Sequence, residues 1–281
     1  MRIKITSDST CDLSPAILSQ HDIAVMPLTV IKDGKEFKDN VTITPAEIFA
    51  HVAGGGALCS TTAVSIGEYQ DFFAPFAAEY DGVVHINLSA EFSSTHQNAC
   101  LAASEFDNVV AVDSRNLSTG QGLVVLKACQ LAKTAQSLQQ LKEELDAFTG
   151  KVEASFVVDK LEYLVKGGRC SSAAALGANL LNLKPCIDVK DGKMGVSKKY
   201  RGKYEKCLLS YVQERLEGRE DLDTSMPIFI TETQVSDECH QAVRAAVETY
   251  GSFDTVYETT AGCTISCHCG PGTLGILFVR K

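Results

Sequence analysis

Residues 83–112 read VVHINLSAEFSSTHQNACLAASEFDNVVAV, and this stretch indicates how the chain folds. It opens with VVHINL, which has the apolar, β-branched character of a buried strand, and it closes with VVAV, which repeats that character. Between them lies a polar turn followed by a segment with helical spacing. A strand, a helix and a second strand in this order make a βαβ unit with parallel strands. In such sheets the functional loops collect at the carboxyl ends of the strands.

The same pattern begins at the amino terminus. Residues 2–6, RIKIT, alternate as a strand does, and Ser14 followed by Pro15 is typical of a helix start, with a hydroxyl as N-cap and proline at the first helical position. Residues 134–154, TAQSLQQLKEELDAFTGKVEA, have the apolar spacing of an amphipathic helix, and we expect Gly150 to end it. The first half of the chain therefore predicts alternating strands and helices.

The second half has its own strands and its own helix. PIFITE and GILFV are strand-like, DECHQAVRAAVETY has helical spacing, and the Asp-Gly pair at 191–192 predicts a hairpin between PCIDV and KMGVS. A chain of 281 residues is long for one hydrophobic core. We therefore expect an α/β protein made of two α/β domains, residues 1–155 and residues 156–281.

The composition narrows the class of protein. The net charge is −9, so a nucleic acid or an anionic membrane would be repelled. No segment has the roughly 18 consecutive apolar residues of a membrane span, and the amino terminus lacks the apolar core of a secretory signal. The eleven cysteines are an odd number spread over a long chain, which indicates reduced thiols rather than a disulfide framework. We expect a soluble, cytoplasmic protein.

Hydroxyl side chains mark two places where an anion could be bound. Residues 60–65 read STTAVS, and residues 93–95 read SST where a helix should begin. The first turn of a helix offers unpaired N–H groups and a positive dipole end, so hydroxyls placed there can help to hold an anion. The plainer interpretation is that Ser93 and Thr61 only cap helices. The residue types alone favour capping.

Other chemistry has weaker support in the sequence. The segment CTISCHC at 263–269 has thiols and an imidazole, but a structural zinc site usually adds a second, distant ligand pair, and no C-x-x-C motif occurs. The hydrolase motif G-x-S-x-G and the glycine-rich nucleotide-binding motifs are also absent. Asp8 and Asp12 could orient a turn as readily as transfer protons. We expect no metal and no cofactor.

Five segments, in order along the chain, resemble signatures of the DegV family. The opening ITSDSTCDL resembles the family's TDS-x-A-D-L, TTAVS followed by GEY resembles TSQPS-x-G-E-F, and LSAEFSSTHQNA resembles SSGLSGTYQ-x-A. Later, LEYLVKGGR with LGANLLNLKPCIDVKDGKM is similar to the family's central signature, and His268 with CGPGTLG is similar to its terminal H-T-G-P-G-x-L-G. Five matches in order over nearly the whole chain are far more specific than any one of them.

The resemblance implies a non-enzymatic protein that binds a long-chain fatty acid between its two domains, with the carboxylate at a polar interface and the tail in an apolar tunnel of the C-terminal domain. Hydroxyls and a histidine suit a carboxylate, and an arginine lowers the cost of burying an anion. Residues 173–183 offer a candidate lining for the tail. Carried over by motif position, the residues that would hold the carboxylate are Thr61, Thr62, Ser93 and His268, with Arg169 supporting them.

The resemblance also implies a protein partner. DegV-like fatty-acid-binding proteins present the bound acid to a fatty-acid kinase, which phosphorylates the carboxylate. Arg201-Gly202 resembles the family's basic K-x-R-G segment, and we assign it to kinase contact. The chain departs from the pattern where Ala63 and Val64 replace Gln and Pro, and where Glu91 replaces Gly beside the proposed anion site. We expect the loop geometry and the ligand preference to differ there.

Two alternatives stay open at this point. A small hydrolase or phosphotransferase using the same Ser, Thr, His and Asp side chains would need a base within about 3 Å of Ser93. A protein that serves only to bind another protein would have an exposed apolar patch and no enclosed tunnel.

Overall fold

A computed structural model describes residues 1–174 and 183–281, except for the side chain of Ala174, and within these ranges the chain forms three β-sheets flanked by helices. A short 3₁₀ helix spans Ser9–Cys11. The strands are β1 (Ile3–Asp8), β2 (Ala24–Met26), β3 (Thr29–Lys32), β4 (Lys35–Lys38), β5 (Ser60–Thr62), β6 (Gly82–Asn87), β7 (Val109–Asp113), β8 (Val152–Val158), β9 (Leu183–Lys190), β10 (Lys193–Arg201), β11 (Ile228–Thr233), β12 (Val256–Thr260) and β13 (Thr273–Val279). The helices are α1 (Pro15–Gln20), α2 (Pro45–Ala53), α3 (Ile66–Glu79), α4 (Thr95–Ala103), α5 (Ser118–Leu131), α6 (Leu138–Thr149), α7 (Glu162–Gly167), α8 (Ser171–Ala174), α9 (Tyr204–Leu216), α10 (Asp237–Tyr250) and α11 (Cys263–Cys269).

The first sheet is parallel, with the strand order β2-β1-β6-β7. From β1 the chain passes through α1 to β2 on one side, whereas β6 leads through α4 to β7 on the other side. The direction of winding therefore reverses between β1 and β6. A crevice opens at such a switch point, outside the carboxyl ends of the strands, and it is where α/β sheets bind ligands. The loop that follows β6 carries Ser93.

The second sheet is mixed, with the strand order β10-β9-β8-β13-β11-β12. Its pairs are antiparallel except for β11 and β12, which run parallel. The hairpin between β9 and β10 turns at Asp191 and Gly192, which have φ values of 53° and 80°. Two successive positive φ angles are what a type I′ turn needs, so the hairpin predicted from the Asp-Gly pair is confirmed.

The third sheet is small, with the strand order β4-β3-β5. Its strands have three or four residues each, which is too short for an alternating pattern to stand out in the sequence. The sequence predicted no sheet here. The structure places Thr61 in the middle of β5, opposite Val30 of β3, so the prediction that Thr61 caps a helix is wrong.

Most of the elements that the sequence predicted are present. β1, β6 and β7 lie where the strand patterns placed them, and α6 ends at Gly150, its C-cap residue. The hydroxyl of Ser14 accepts a hydrogen bond from the Ile17 N–H at 3.3 Å, with Pro15 as the first helical residue. These elements are specified by local signals, namely alternation, caps and turn residues.

One hydrophobic core joins the two large sheets. Helix α5 contacts β1 and β6 of the first sheet and β8, β11 and β13 of the second. Ile5 and Val84 accordingly share a cluster of buried side chains with Phe229 and Leu277. The second sheet begins in the chain at β8, and the boundary near residue 155 stays a prediction. In the described ranges no helix is both long enough and apolar enough to cross a bilayer.

The carboxylate of Asp8 lies at the centre of the first sheet's polar network and is fully buried. It accepts hydrogen bonds from the Tyr69 hydroxyl at 2.6 Å, the Asn87 amide at 3.1 Å and the Leu88 N–H at 3.0 Å. His85 Nε2 lies 3.1 Å from the same carboxylate. Because every partner is also buried, Asp8 fixes the carboxyl ends of β1 and β6 relative to each other.

We expect Asp8→Ala to destabilise the fold by about 3 kcal/mol or more, because several buried donors would lose their shared acceptor. The free energy of unfolding, measured in urea, checks this. Asp71→Ala is the matched control, since Asp71 is exposed on α3 and should stay within about 0.5 kcal/mol of the parent protein. Equal stability of the two variants would contradict this role of Asp8.

Candidate ligand-binding cavity between the two halves of the chain

A cavity lies between the first and the second half of the chain. The first half contributes β5, Leu28 and the loops after β6 and β7, and the second half contributes the loop after α7, β10 and α11. The residues that line it are Leu28, Thr61, Thr62, Ala63, Leu88, Phe92, Ser93, Leu117, Arg169, Met194, Thr264, Ile265, His268 and Cys269.

A hydrogen bond between Thr61 and His268 joins the two halves at this cavity. The Thr61 hydroxyl lies 2.8 Å from Nε2 of His268, although the two residues are 207 positions apart in the sequence. The other ring nitrogen, Nδ1, lies against Gly167, where an added Cβ would come within 2.6 Å of it. Any side chain at position 167 would therefore push the imidazole away from Thr61.

Two buried carboxyl groups hold the start of α11, the helix that carries His268. Asp39 accepts hydrogen bonds from the N–H groups of Cys263 at 2.7 Å and Thr264 at 3.2 Å, and from the Thr264 hydroxyl at 2.7 Å. Asp12 accepts from the Gly262 N–H at 2.8 Å. These contacts satisfy N–H groups that a helix start leaves without internal partners, and they fix α11 to the first half of the chain.

Ser93 stands just before α4. Its hydroxyl accepts the Thr95 N–H at 3.2 Å and lies 2.7 Å from the Thr95 hydroxyl. The N-cap residue of α4 is Ser94, and its side chain makes no cap hydrogen bond, so the interpretation that Ser93 is only a helix cap is wrong. The Ser93 side chain lines the cavity.

Arg169 lies across the cavity from the first half and follows Gly168, whose φ is 69°. Its Nη1 donates to the Gly167 carbonyl at 2.7 Å, and its Nε points to the Phe92 carbonyl at 3.4 Å. A guanidinium has five N–H donors, so these two carbonyls leave most of them available. No carboxylate of residues 1–174 or 183–281 forms an ion pair with it.

The imidazole of His268 is held in its neutral form. Burial, and secondarily the positive charge of Arg169, lowers the pKa of His268 to about 4. Its Nδ1 is buried and has no hydrogen-bond partner in the part of the chain that the structure describes. This end of the cavity therefore has one permanent positive charge and unused hydrogen-bonding capacity. Such a site suits an anionic group attached to an apolar body.

All five residues that the family resemblance singled out, namely Thr61, Thr62, Ser93, Arg169 and His268, line this one cavity. Contact of these residues with a ligand stays a prediction. Glu91, expected to add an acid beside the site, is not among the lining residues that the structure describes, and its carboxylate lies 3.5 Å from Lys193.

The predicted lining for the tail lies mostly outside the described residues. Of residues 173–183, positions 175–182 lie outside the described residues, and Ala173 and Leu183 are absent from the described lining of the cavity.

The eleven cysteines are free, and all are buried except the exposed Cys100 and the half-buried Cys239. Within the described chain, no group of three His, Cys, Asp or Glu side chains is placed to hold a metal ion.

The sequence did not single out Asp39 or Thr264. Both are needed to explain where His268 lies, and Thr264 also lines the cavity. No local signal could have identified Asp39, because its partners on α11 are more than 200 positions away in the chain. The only trace in the sequence is an Asp-Asn pair after a short strand, which usually indicates a turn.

Comparison with protein families gives a match over almost the full length. The family model described as an uncharacterised protein of the DegV family matches residues 2–281. A DegV domain-containing protein of Clostridium acetobutylicum is 32% identical over 284 residues, which cover 100% of this chain and 99% of the relative.

Two solved structures are similar in fold over 100% of both chains. One, described as fatty acid binding of a DegV family protein from Thermus thermophilus, has a TM-score of 0.90 at 32% identity. The other, described as DegV, a fatty acid binding protein from Bacillus subtilis, has a TM-score of 0.86 at 28% identity. These likenesses confirm the predicted α/β fold class.

We expect His268 to titrate with a pKa near 4 in the ligand-free protein, well below the value of about 6.5 for an exposed histidine. Arg169→Gln should raise the pKa of His268, since it removes a nearby positive charge. Proton NMR titration of the ring measures both values. Arg115→Gln is the control, because Arg115 is exposed and outside the cavity. A midpoint near 6.5 in the parent protein would contradict the burial of this ring.

Proposed function

The chain belongs to the DegV family, and we propose that it binds one long-chain fatty acid and presents the carboxylate to a fatty-acid kinase. The observation that carries this proposal is a cavity whose lining combines Arg169, His268 and several hydroxyl side chains with apolar residues. The descriptions of the Thermus thermophilus and Bacillus subtilis structures as fatty-acid-binding proteins support it.

The polar end of the cavity supplies what a carboxylate needs. In the proposed complex the hydroxyls of Thr61, Thr62 and Ser93 donate hydrogen bonds to the carboxylate oxygens. Arg169 balances the charge, and its unused N–H groups face no competing carboxylate among the described residues. A bound carboxylate would raise the pKa of His268 from about 4 and so favour its protonation. Hydrogen bonds to a charged group are worth more than neutral ones, which favours the ionised acid.

The apolar walls supply the affinity for the tail. Phe92, Leu117, Met194 and Ile265 contribute apolar side chains to the lining of the cavity. Each methylene moved from water to such a surface contributes about 0.8 kcal/mol. A long acyl chain therefore contributes more to binding than its head group does, whereas the head group sets its orientation.

The proposed contact with the kinase lies on the second half of the chain. The protein is acidic overall, but β10 and the loop after it carry exposed basic residues, including Lys199, Arg201 and Lys203. Arg201 ends β10 and is followed by Gly202, whose φ is 130°. Exposed basic side chains in an acidic protein are suited to an acidic patch on a partner and to rapid association.

We propose a carrier rather than an enzyme. A hydrolase would need a base within hydrogen-bond reach of Ser93, but among the described residues its hydroxyl bonds only to the N–H and the hydroxyl of Thr95. The Thr61 and His268 pair has the distance of a nucleophile and a base. However, no described acceptor orients the second ring nitrogen, as the third member of a triad would. A carrier needs no cofactor, and the free cysteines suit a reducing compartment such as the cytoplasm.

Protein purified from its host, extracted with organic solvent and analysed by mass spectrometry should yield about one fatty acid per chain. Ser93→Ala combined with His268→Ala should weaken binding by about 3 kcal/mol, on the order of a hundredfold in Kd, because two contacts to a charged group are lost. Ser104→Ala with His21→Ala is the matched control, since neither residue lines the described cavity. The function is refuted if the parent protein stays empty and takes up no added fatty acid.

The kinase step is tested with Arg201→Glu. With a fatty-acid kinase from the same genome and ATP, the parent protein loaded with oleate should support acyl-phosphate formation. The Arg201→Glu variant should slow it on the order of tenfold and bind oleate normally, because the residue acts on association with the partner. Lys133→Glu, an exposed charge reversal in the first half, is the control. If both variants support equal rates, Arg201 makes no kinase contact.

A further inference from the structure

A cysteine and a histidine lie side by side on α4. Of the eleven cysteines, which all fall in the described ranges, Cys100 alone is exposed. Its sulfur lies 3.4 Å from Nε2 of His96 and 3.9 Å from Nδ1 of the same ring. The two residues are four positions apart, so they share one face of the helix. An exposed thiol therefore has a base within reach.

Asn87 fixes the tautomer of His96. The fully buried Asn87 amide nitrogen donates to the Asp8 carboxylate at 3.1 Å and to the Tyr69 hydroxyl at 3.0 Å. Its amide oxygen therefore faces the other way, where it lies 3.1 Å from Nδ1 of His96. Because an amide oxygen can only accept, Nδ1 carries the proton and Nε2 is the acceptor. The ring nitrogen nearer to Cys100 is thus the basic one.

His96 is a departure of this chain from the family pattern. LSAEFSSTHQNA resembles SSGLSGTYQ-x-A, and His96 stands at the position of the tyrosine in that signature. A tyrosine hydroxyl, with an ordinary pKa of about 10, holds its proton at neutral pH, whereas an imidazole, at about 6.5, can accept one. The pairing of Cys100 with a base is therefore a property of this sequence and not of the signature.

At neutral pH the pair consists of a neutral thiol and a neutral imidazole. Partial burial raises the pKa of Cys100 and lowers the pKa of His96. Tyr69, on α3, reaches His96 through Asn87. The other titratable groups that act on the pair, from β1, β6, β7 and α6, are Asp8, His85, Asp113 and Lys142. The thiol must therefore lose its proton as it reacts, and Nε2 of His96 is placed to take it.

We propose that Cys100 is a modification site that forms a mixed disulfide with a small-molecule disulfide, with His96 as the general base. The proton passes from the sulfur to Nε2 as the sulfur attacks one sulfur of the reagent. The sulfur–sulfur bond of the reagent breaks, a new one joins it to Cys100, and the leaving thiolate takes the proton from His96. One thiol and one disulfide give one mixed disulfide and one thiol. Neither residue is in the described lining of the cavity, so this proposal does not rest on fatty-acid binding.

The surroundings of Cys100 favour a disulfide over a thioester or another acyl compound. Acyl transfer passes through an oxyanion, which needs hydrogen-bond donors beside the nucleophile. Among the described residues, the hydrogen-bond contacts of the Cys100 sulfur are both with the ring of His96. Attack on a disulfide forms no oxyanion, so an accessible thiol and a base are enough. A thiol with a raised pKa is also the stronger nucleophile once its proton has been removed.

The experiment treats the protein with glutathione disulfide and follows each cysteine by peptide mass spectrometry. Cys100 should be modified faster than any other cysteine, and Cys100→Ser should abolish this rapid modification. His96→Gln should slow the reaction of Cys100 on the order of tenfold at neutral pH, because the base is lost. Well above the pKa of the thiol, both proteins carry the thiolate, and their rates should converge.

Cys239→Ser is the matched control. Cys239 is half-buried on α10, and the imidazole of the adjacent His240 lies 2.6 Å from Glu258. The rapid modification should be unchanged in this variant. The proposal is overturned if Cys100 reacts no faster than Cys239 in the parent protein, or if His96→Gln matches the parent rate at neutral pH. A defect of His96→Gln that persists at high pH also overturns it, because a lost base would no longer matter there.

Discussion

The carboxylate of Asp39 is the contact on which the arrangement of the cavity depends. It is 1% exposed and follows β4, and it accepts hydrogen bonds from two N–H groups and a hydroxyl at the start of α11, together with the Ser9 hydroxyl at 2.9 Å. Ser9 lies directly after β1, so one side chain ties the first sheet, the small sheet and α11 together. Because α11 carries His268, Asp39 also sets the distance from that ring to Thr61. Asp39 thus positions His268 in the cavity, although Asp39 itself does not line the cavity.

A second buried acid so close to Asp39 would be costly if both were fully charged. Burial raises the pKa of Asp12 to about 8, with a smaller contribution from the charge of Asp39. At neutral pH Asp12 therefore keeps its proton most of the time. It still accepts the Gly262 N–H at 2.8 Å, so Asp12 holds the start of α11 without adding a full second charge beside Asp39. The left-handed backbone of Asp12, with φ of 50°, turns the chain toward α1 at the same point.

The sequence predicted the features that neighbouring residues specify, and it missed the features that depend on residues far apart in the chain. The N-cap at Ser14 and the turn at Asp191-Gly192 depend on neighbouring residues, and both were correct. The small sheet and the role of Asp39 depend on partners far along the chain, and neither left a readable local pattern. For the site, residue types alone favoured helix caps, but Thr61 lies in β5 and the N-cap of α4 is Ser94 rather than Ser93. Only the ordered family motifs brought residues of both halves into one prediction.

The distribution of unused hydrogen-bonding capacity explains why a ligand should lie in one orientation. At the outer end, beside Thr61 and His268, Arg169 has spare N–H groups. At the inner end, against the six-stranded sheet, the described hydroxyls of Thr231, Thr233 and Thr273 and the carboxylate of Glu232 are already bonded within the protein. A polar group placed at the inner end would lose its hydrogen bonds to water and gain none, whereas at the outer end it would find donors and a positive charge. A molecule with one acidic end and a long apolar body is therefore oriented by the polar groups that the fold leaves unpaired, before any contact with its tail is considered.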